Sequence, residues 1–345
     1  MQGTVVYTLQ FRAPLHIGER GIGQEETREY APADTLFSAL CTMWSLLYGI
    51  DSLTDLLARY GDAGREPFFL TSAFPYAGEI RFYPKPLRPP DSAPEFAKHW
   101  KSVRWVSERV FQAYLDGEPI ALEPEGDALR NAAKLRLQGD EILIHPEERQ
   151  ALQEFWDYAA DDLRIYRTAI VPRVTLDRIS NASQIWQFGE VHFTRGCGLW
   201  FAVQFGDAGV RERFEACLRL LGDTGLGGER GAGRGLFCFE RNEWALRGPS
   251  SPRAFITLSP WVPATQEQRD WLRADGSAYE LTLKRGWLGS PAVNNLRRKE
   301  VWMVREGSVI AHPPEFRIGQ LVDLAPEMSP HPAYRYGYAF PVGVK

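Results

Sequence analysis

The chain begins on strict alternation. Val5, Tyr7, Leu9 and Phe11 share one side of residues 4–12, and Thr8, Gln10 and Arg12 share the other, the period-two pattern of a half-buried strand. The period then changes. Leu36, Leu40, Trp44, Leu47 and Tyr48 recur at helical spacing and predict a helix over 35–48, with Asp34 placed to cap its N-terminus. Phe68 to Phe74 predicts a second strand. Roughly 78–190 has no sustained period: Pro84, Pro86, Pro89, Pro90 and Pro94 interrupt it, with helical pieces at 99–115 and 147–160. This region predicts an insertion between two strands. Strand character returns from Val191 to Phe205, where Gly196 and Gly198 mark a turn or bulge. Val210, Phe214, Cys217, Leu218 and Leu221 form the stripe of a short helix, Gly222 to Gly235 is glycine-rich, and Leu236 to Phe239 starts another strand.

The order strand, helix, strand, insertion, strand, helix, glycine loop, strand matches a β-α-β-β-α-β ferredoxin-like (RRM-like) unit. Leu246 to Pro252 has linker composition, and a smaller cycle follows it. That cycle reads as a strand at Phe255–Leu258, a helix at Gln266–Leu272, and strands at Tyr279–Leu283, Val301–Val304 and Tyr334–Val342. The expected fold is therefore α+β with two ferredoxin-like domains. Residues 1–247 hold the insertion, about 78–190, and the glycine loop, 222–235; residues 248–345 form a degenerate second copy.

Composition narrows the chemistry. The 345 residues, 44% hydrophobic, suffice for about two domains. A net charge of −4 excludes a global basic field, so any nucleic-acid contact must be local. The cations are mostly arginine, which suits bidentate phosphate contacts and base stacking, although genomic base composition explains the same bias. Cys41, Cys197, Cys217 and Cys238 form no C-x-x-C pair and sit in apolar stretches, as expected of reduced core residues in a cytosolic protein. The N-terminus lacks the pattern of a signal peptide, and the longest apolar stretch, Leu36 to Ile50, is too short to span a bilayer. A cytoplasmic chain without a membrane partner is expected.

The strongest local signal is the run Gly222 to Gly235, with seven glycines in fourteen residues. Such a run frees the backbone for positive φ and close approach, so that successive N–H groups can form an anion-binding nest to which Arg230 and Arg234 add charge. A flexible hairpin loop is the plain alternative, but the position directly after a helix and the two arginines favour phosphates of a nucleic-acid backbone. No Gly-Lys-Ser/Thr follows, and the helix-then-strand order is the reverse of a dinucleotide fingerprint. Arg164, Arg167, Arg173 and Arg178 form a second cluster, with Thr175 among them. This segment fits an extended arm with arginine on phosphate and hydroxyl on sugar, and it fits equally a charge-guarded edge strand. His16, in Leu15-His16-Ile17-Gly18, can be a general base or a loop histidine bonded to backbone or ligand, and His192 lies on an expected strand within possible reach of it. The remaining histidines show no metal spacing, so neither metal nor cofactor is expected. Asn294 to Lys299 is the densest basic run, beside Lys284-Arg285-Gly286-Trp287; a solvated loop and a phosphate or acidic contact both fit. In the tail His331 to Tyr338, base stacking and a closing strand that packs its tyrosines both fit.

Together these motifs resemble the RAMP superfamily of CRISPR-associated proteins, and within it the family of the fourth subunit of the type III-A Csm complex. The resemblance is carried by Leu15 to Gly18, Pro32 to Leu40, Arg173 to Arg178, Gly222 to Phe237, Arg285 to Trp287, Arg297 to Lys299, Glu306 to Ser308 and His331 to Tyr338. It implies a non-catalytic, RNA-binding subunit in antiviral defence that holds the 5′ handle of the CRISPR RNA. It also implies two protein partners, the large cyclase-domain signature subunit and the backbone RAMP subunit. Carried onto these residues, it assigns the handle to Gly225, Gly227, Gly228, Arg230, Gly231 and Arg234 of the loop and to Arg173–Arg178, with His16, Gly18, Asp34 and Thr35 lining the same face. The alternatives are the equivalent type III-B subunit, a metal-independent RAMP endoribonuclease with His16 as base, and an architectural protein that touches only protein.

Overall fold

A computed structural model describes residues 3–18, 26–90, 100–120, 136–138, 141–156, 164–177, 179, 182–288 and 296–345. Strand β1 (Thr4–Phe11) forms as expected, with Tyr7 and Leu9 buried on the predicted face, but Val6 on the opposite face is buried too, because β1 lies inside the sheet between β11 and β10. Helix α1 (Ala33–Ala58) is two helical segments joined at a kink: Gly49, at φ 84° and ψ 166°, interrupts it where the expected helix ends, and a second segment carries on to Ala58. By length and composition Ala33–Gly61 is the one described helix long and apolar enough to cross a membrane. Its buried face lies against protein: the Phe37 ring sits 5.1 Å from Tyr336 and 5.9 Å from Tyr60. Asp34 is not the cap. Pro32 takes that position, the Ala33 N–H donates to the Ser72 hydroxyl at 2.9 Å, and Asp34 falls inside the first turn with its carboxylate buried.

The expected strand Phe68–Phe74 divides into β2 (Phe68–Leu70) and β3 (Phe74–Ala77). Between them Thr71, Ser72 and Ala73 donate in turn to the carbonyls of Ala202, Leu258 and Ala31, so the chain leaves one ladder to join three partners. The region expected to be irregular continues the sheet instead. It supplies β4 (Ile80–Pro84), β5 (Trp105–Ser107), α2 (Glu108–Asp116), β6 (Arg136–Leu137), β7 (Ile142–Leu143) and α3 (Pro146–Trp156). Then come the long ribbon strands β8 (Tyr166–Leu176) and β9 (Ser183–Phe193), followed by β10 (Cys197–Phe205), α4 (Ala208–Thr224) and β11 (Phe237–Glu243). The main sheet runs β11-β1-β10-β3-β4-β5-β7-β6, with β2 also paired to β10. Helix α4 is capped by the Asp207 carboxylate, which accepts from the Val210 N–H at 2.8 Å, and it packs on α1, β10 and β11.

The rest of the chain forms β12 (Ala254–Thr257), α5 (Gln266–Trp271), β13 (Leu281–Lys284), β14 (Val301–Val304), β15 (Val309–Ile310), β16 (Gly319–Asp323), β17 (Tyr334–Tyr338) and β18 (Pro341–Val344). β12 lies between β15 and β18, and β13–β14 and β16–β17 are separate antiparallel pairs. The tail tyrosines are core: Tyr336 and Tyr338 are buried, and the Leu70 N–H donates to the Tyr336 hydroxyl at 3.1 Å. With Ile256, Leu258, Phe340, Val342 and Val344 they join the same apolar cluster as β1 and β10, so the two halves of the chain share one core. A smaller cluster gathers around Trp261 and Phe255. All four cysteines are free; Cys197 and Cys217 are buried as expected, but Cys238 is exposed on the edge strand β11.

Candidate nucleic-acid interface

The glycine-rich loop has a held part and a free part. The held part is fixed by the segment after β1. Gly228 N–H donates to the His16 carbonyl at 2.9 Å, Gly235 N–H to that of Pro14 at 2.8 Å, and Leu226 N–H to that of Gly235 at 2.9 Å. The approach is too close for a side chain: a Cβ on Gly227 would lie 2.2 Å from the His16 carbonyl oxygen, and one on Gly225 2.2 Å from that of Arg234. Both glycines also take positive φ, 92° and 93°. Leu226 between them is fully buried. The free part is the single turn Arg230–Ala232, flanked by Glu229 and Gly233 in left-handed geometry. Arg230 and Gly231 are exposed, and a Cβ on Gly231 would meet nothing within 4 Å.

His16 is buried and works inside the fold. Its Nδ1 lies 2.8 Å from the Gly189 carbonyl oxygen, an acceptor only, so Nδ1 carries the proton, and its ring sits 4.3 Å from Phe188. The same histidine thus holds the loop through its main chain and the ribbon through its side chain.

β8 and β9 pair in register from Tyr166↔Phe193 to Leu176↔Ser183. Directly opposed residues share a face. Arg167, Arg173 and Thr175 therefore lie with Trp186, Phe188, Glu190 and His192, while Ile170, Val174, Leu176 and Ile185 project exposed from the other face. Glu190, almost completely buried, is the hub of the arginine face. It accepts from Arg234 at 2.6 Å and 2.8 Å and from Arg173 at 3.4 Å, and its second oxygen lies 3.3 Å from His192 Nε2. A buried carboxylate is tolerable only with such partners, and two guanidinium groups supply them. Arg173 also lies over the Phe188 ring at 5.6 Å, and the Trp186 indole donates to the Thr175 hydroxyl at 3.0 Å. Glu190 was not evident in the sequence; its only signal is an acid opposite an arginine-bearing strand, visible once the hairpin register is known. Arg167 is exposed on this face, and Arg178 lies outside the described residues.

Gly18, Asp34 and Thr35 line a separate cavity with residues of the C-terminal half. Asp34 accepts from Lys284 Nζ at 3.0 Å and from the Arg335 guanidinium. Burial alone would raise its pKa, but Lys284 and Arg335 outweigh that and hold it at about 2.

With this geometry in view, comparison with known proteins is specific. The CRISPR Csm4 C-terminal domain family matches residues 251–344. The CRISPR system Cms protein Csm4 of Thermococcus onnurineus is 29% identical over 336 residues, covering 96% of this chain and 98% of that one. Its counterpart from Mycobacterium tuberculosis is 25% identical over 328 residues, covering 93% and 91%. Among solved structures, the Csm3–Csm4 subcomplex of the type III-A CRISPR–Cas interference complex matches with TM-score 0.70 at 16% identity, each chain covered in full. A Csm1–Csm4 cassette in complex with cA4 matches with TM-score 0.60 at 21% identity, covering 99% of this chain and 98% of that one. The likeness is therefore to CRISPR-associated proteins of type III effector complexes. Within that class the likeness, over nearly the whole chain, is to Csm4.

Proposed function

We propose that this chain is the Csm4-type, non-catalytic subunit of a type III Csm complex, and that the free turn of its glycine loop and the arginine face of the β8–β9 ribbon hold the 5′ handle of the CRISPR RNA. One observation carries the reading. Three motifs far apart in sequence, Leu15–His16, Arg173–Thr175 and Gly225–Gly235, meet at one place through His16 and Glu190. The result is an exposed backbone turn beside an arginine- and aromatic-bearing ribbon, a surface suited to phosphate and stacked bases. Arg230, Gly231, Arg167 and Thr175 are the contacts we assign to RNA, and Arg173 and Arg234 position the surface while offering their remaining donors. The strand order β11-β1-β10-β2/β3, with helices after β1 and β10, supports a ferredoxin-like first domain, and the family match from residue 251 supports a boundary near 247. The solved relatives with Csm1 and Csm3 support docking on a large subunit and on a backbone subunit. His16, the base a ribonuclease would need, donates its Nδ1 proton to main chain and is buried, which supports a holding role over a chemical one.

The test is Arg230→Ala in the assembled complex, read by filter binding across a salt series. Arg230 is exposed and its loss leaves the Glu190 hub intact. Losing one phosphate contact should flatten the slope of log affinity against log salt by about one unit. An unchanged slope would remove the loop from the interface.

A further inference from the structure

The cavity lined by Gly18, Asp34 and Thr35 has a charge balance that its own residues do not settle. Its volume is about 210 Å³, and it opens between the start of α1 and strand β13. Lys284, Arg285, Arg298 and Arg335 line it, beside Arg28. Among the described residues two carboxylates answer these four: Asp34 on its wall, which holds Lys284 and Arg335, and Glu300, which bonds Arg285 Nε at 2.7 Å. Four cations against two anions leave a surplus of two.

Two of those cations have buried nitrogens without a partner. Arg335 is 8% exposed; it binds Asp34 through Nη1 and the Arg285 carbonyl through Nη2 at 3.3 Å, yet its Nε has no hydrogen-bond partner. Arg298 Nε is likewise buried and without a partner. A guanidinium N–H removed from water and left unpaired is costly, so this arrangement calls for an acceptor. Burial above all, and then Arg335, lowers the Arg298 pKa against the opposing pull of Asp34. The cavity is several water molecules in size, at about 30 Å³ each in the liquid, ample for a hydrated tetrahedral oxyanion. Pro32, Asp34 and Thr35, at the start of α1, line it, so the positive end of that helix lies on its side.

We infer that this cavity binds a phosphate group, the Nε–H groups of Arg298 and Arg335 donating to its oxygens while Asp34 holds Lys284 and Arg335 in place. The inference goes beyond the handle reading, because it names the chemistry of a second site whatever carries the phosphate there. A free phosphate and a backbone phosphate of a nucleic acid satisfy it alike, and the experiment separates them.

The full chain is titrated calorimetrically with inorganic phosphate and, separately, with an oligoribonucleotide of the handle, in wild type and in Arg298→Gln, Arg298→Lys and Arg269→Gln. Arg269, exposed on α5, controls for the loss of one surface charge. A charge-assisted hydrogen bond is worth about 1.5–3 kcal/mol, so Arg298→Gln should weaken phosphate binding by about tenfold or more, with Arg298→Lys recovering much of it and Arg269→Gln having no effect. Oligonucleotide affinity that falls in parallel identifies the backbone as the source; unchanged oligonucleotide affinity identifies a free phosphate or small phosphate ester. Wild type that takes up no phosphate at millimolar concentration, or Arg298→Gln that melts as wild type and binds phosphate equally well, overturns the inference. RNA binding that survives Arg230→Ala counts against the glycine loop alone and leaves this cavity standing.

Discussion

Replacing Asp34 with asparagine removes the one anion between Lys284 and Arg335 at the junction of α1 with the C-terminal strands. Two magnitudes can be worked from the structure. The first is pH-dependent. Asp34 moves from 3.8 in the unfolded chain down to about 2 in the fold, which corresponds to roughly 2–3 kcal/mol. The folded pKa is depressed, so this stabilisation is fully present above about pH 4 and is lost as pH falls toward 2. The second is the substitution itself. Removing one partner of a buried ion pair typically costs about 3–5 kcal/mol, because the remaining charges stay buried and uncompensated. Here two cations, 8% exposed each, would be stranded. The larger figure contains the smaller, and both are large fractions of a typical folding stability of about 5–15 kcal/mol. The assay is urea unfolding of wild type and Asp34→Asn at neutral pH and again between pH 4 and 2. The variant should lose several kcal/mol at pH 7 and should show a shallower acid limb than wild type. A variant within about 1 kcal/mol of wild type at neutral pH, with a parallel acid limb, would refute the view of Asp34 as a structural anion.

The remaining predictions concern the loop and the ribbon. Gly228→Ala places a Cβ 2.8 Å from His16 Cδ2 and should destabilise by about 1–3 kcal/mol, whereas Gly231→Ala, with nothing within 4 Å, should melt like wild type; equal melting of the two in thermal denaturation would show that His16 does not clamp the loop. Glu190→Gln leaves Arg173 and Arg234 without their anion and should lower stability by about 3–5 kcal/mol, read by urea unfolding, while an unchanged midpoint would mean the hub carries no weight. Incubation with repeat RNA in EDTA should give no cleavage; cleavage abolished by His192→Ala would instead make the Glu190–His192 pair an acid–base site.

The sequence was most legible where local pattern and fold agree. The alternation of Val5 to Phe11 marked β1, although Val6 is buried on its other side as well, and the stripe from Val210 to Leu221 became the inner face of α4, which buries that one face against its neighbours. The glycine loop was visible as a run but not as two parts, since which glycines are forced depends on Pro14 and His16, more than two hundred residues earlier. Asp34 looked like a helix cap because capping is a local signal, while its partners Lys284 and Arg335 lie in another part of the chain. The stretch from residue 78 to 156 looked irregular because its strands, of two to five residues, are too short to show a period, yet they extend the main sheet, whereas the eleven-residue strands β8 and β9 form a sheet of their own. Glu190 escaped for the same reason: a buried acid declares itself only through the residues brought to it in space.

The shared core also bears on how the chain is made. Tyr336 and Tyr338 pack on Phe37 and Tyr60, residues that leave the ribosome much earlier. During synthesis α1 and the first strands must wait with an uncovered aromatic surface until the closing strands arrive, a window in which chaperones or assembly partners can reach a surface that the finished protein hides.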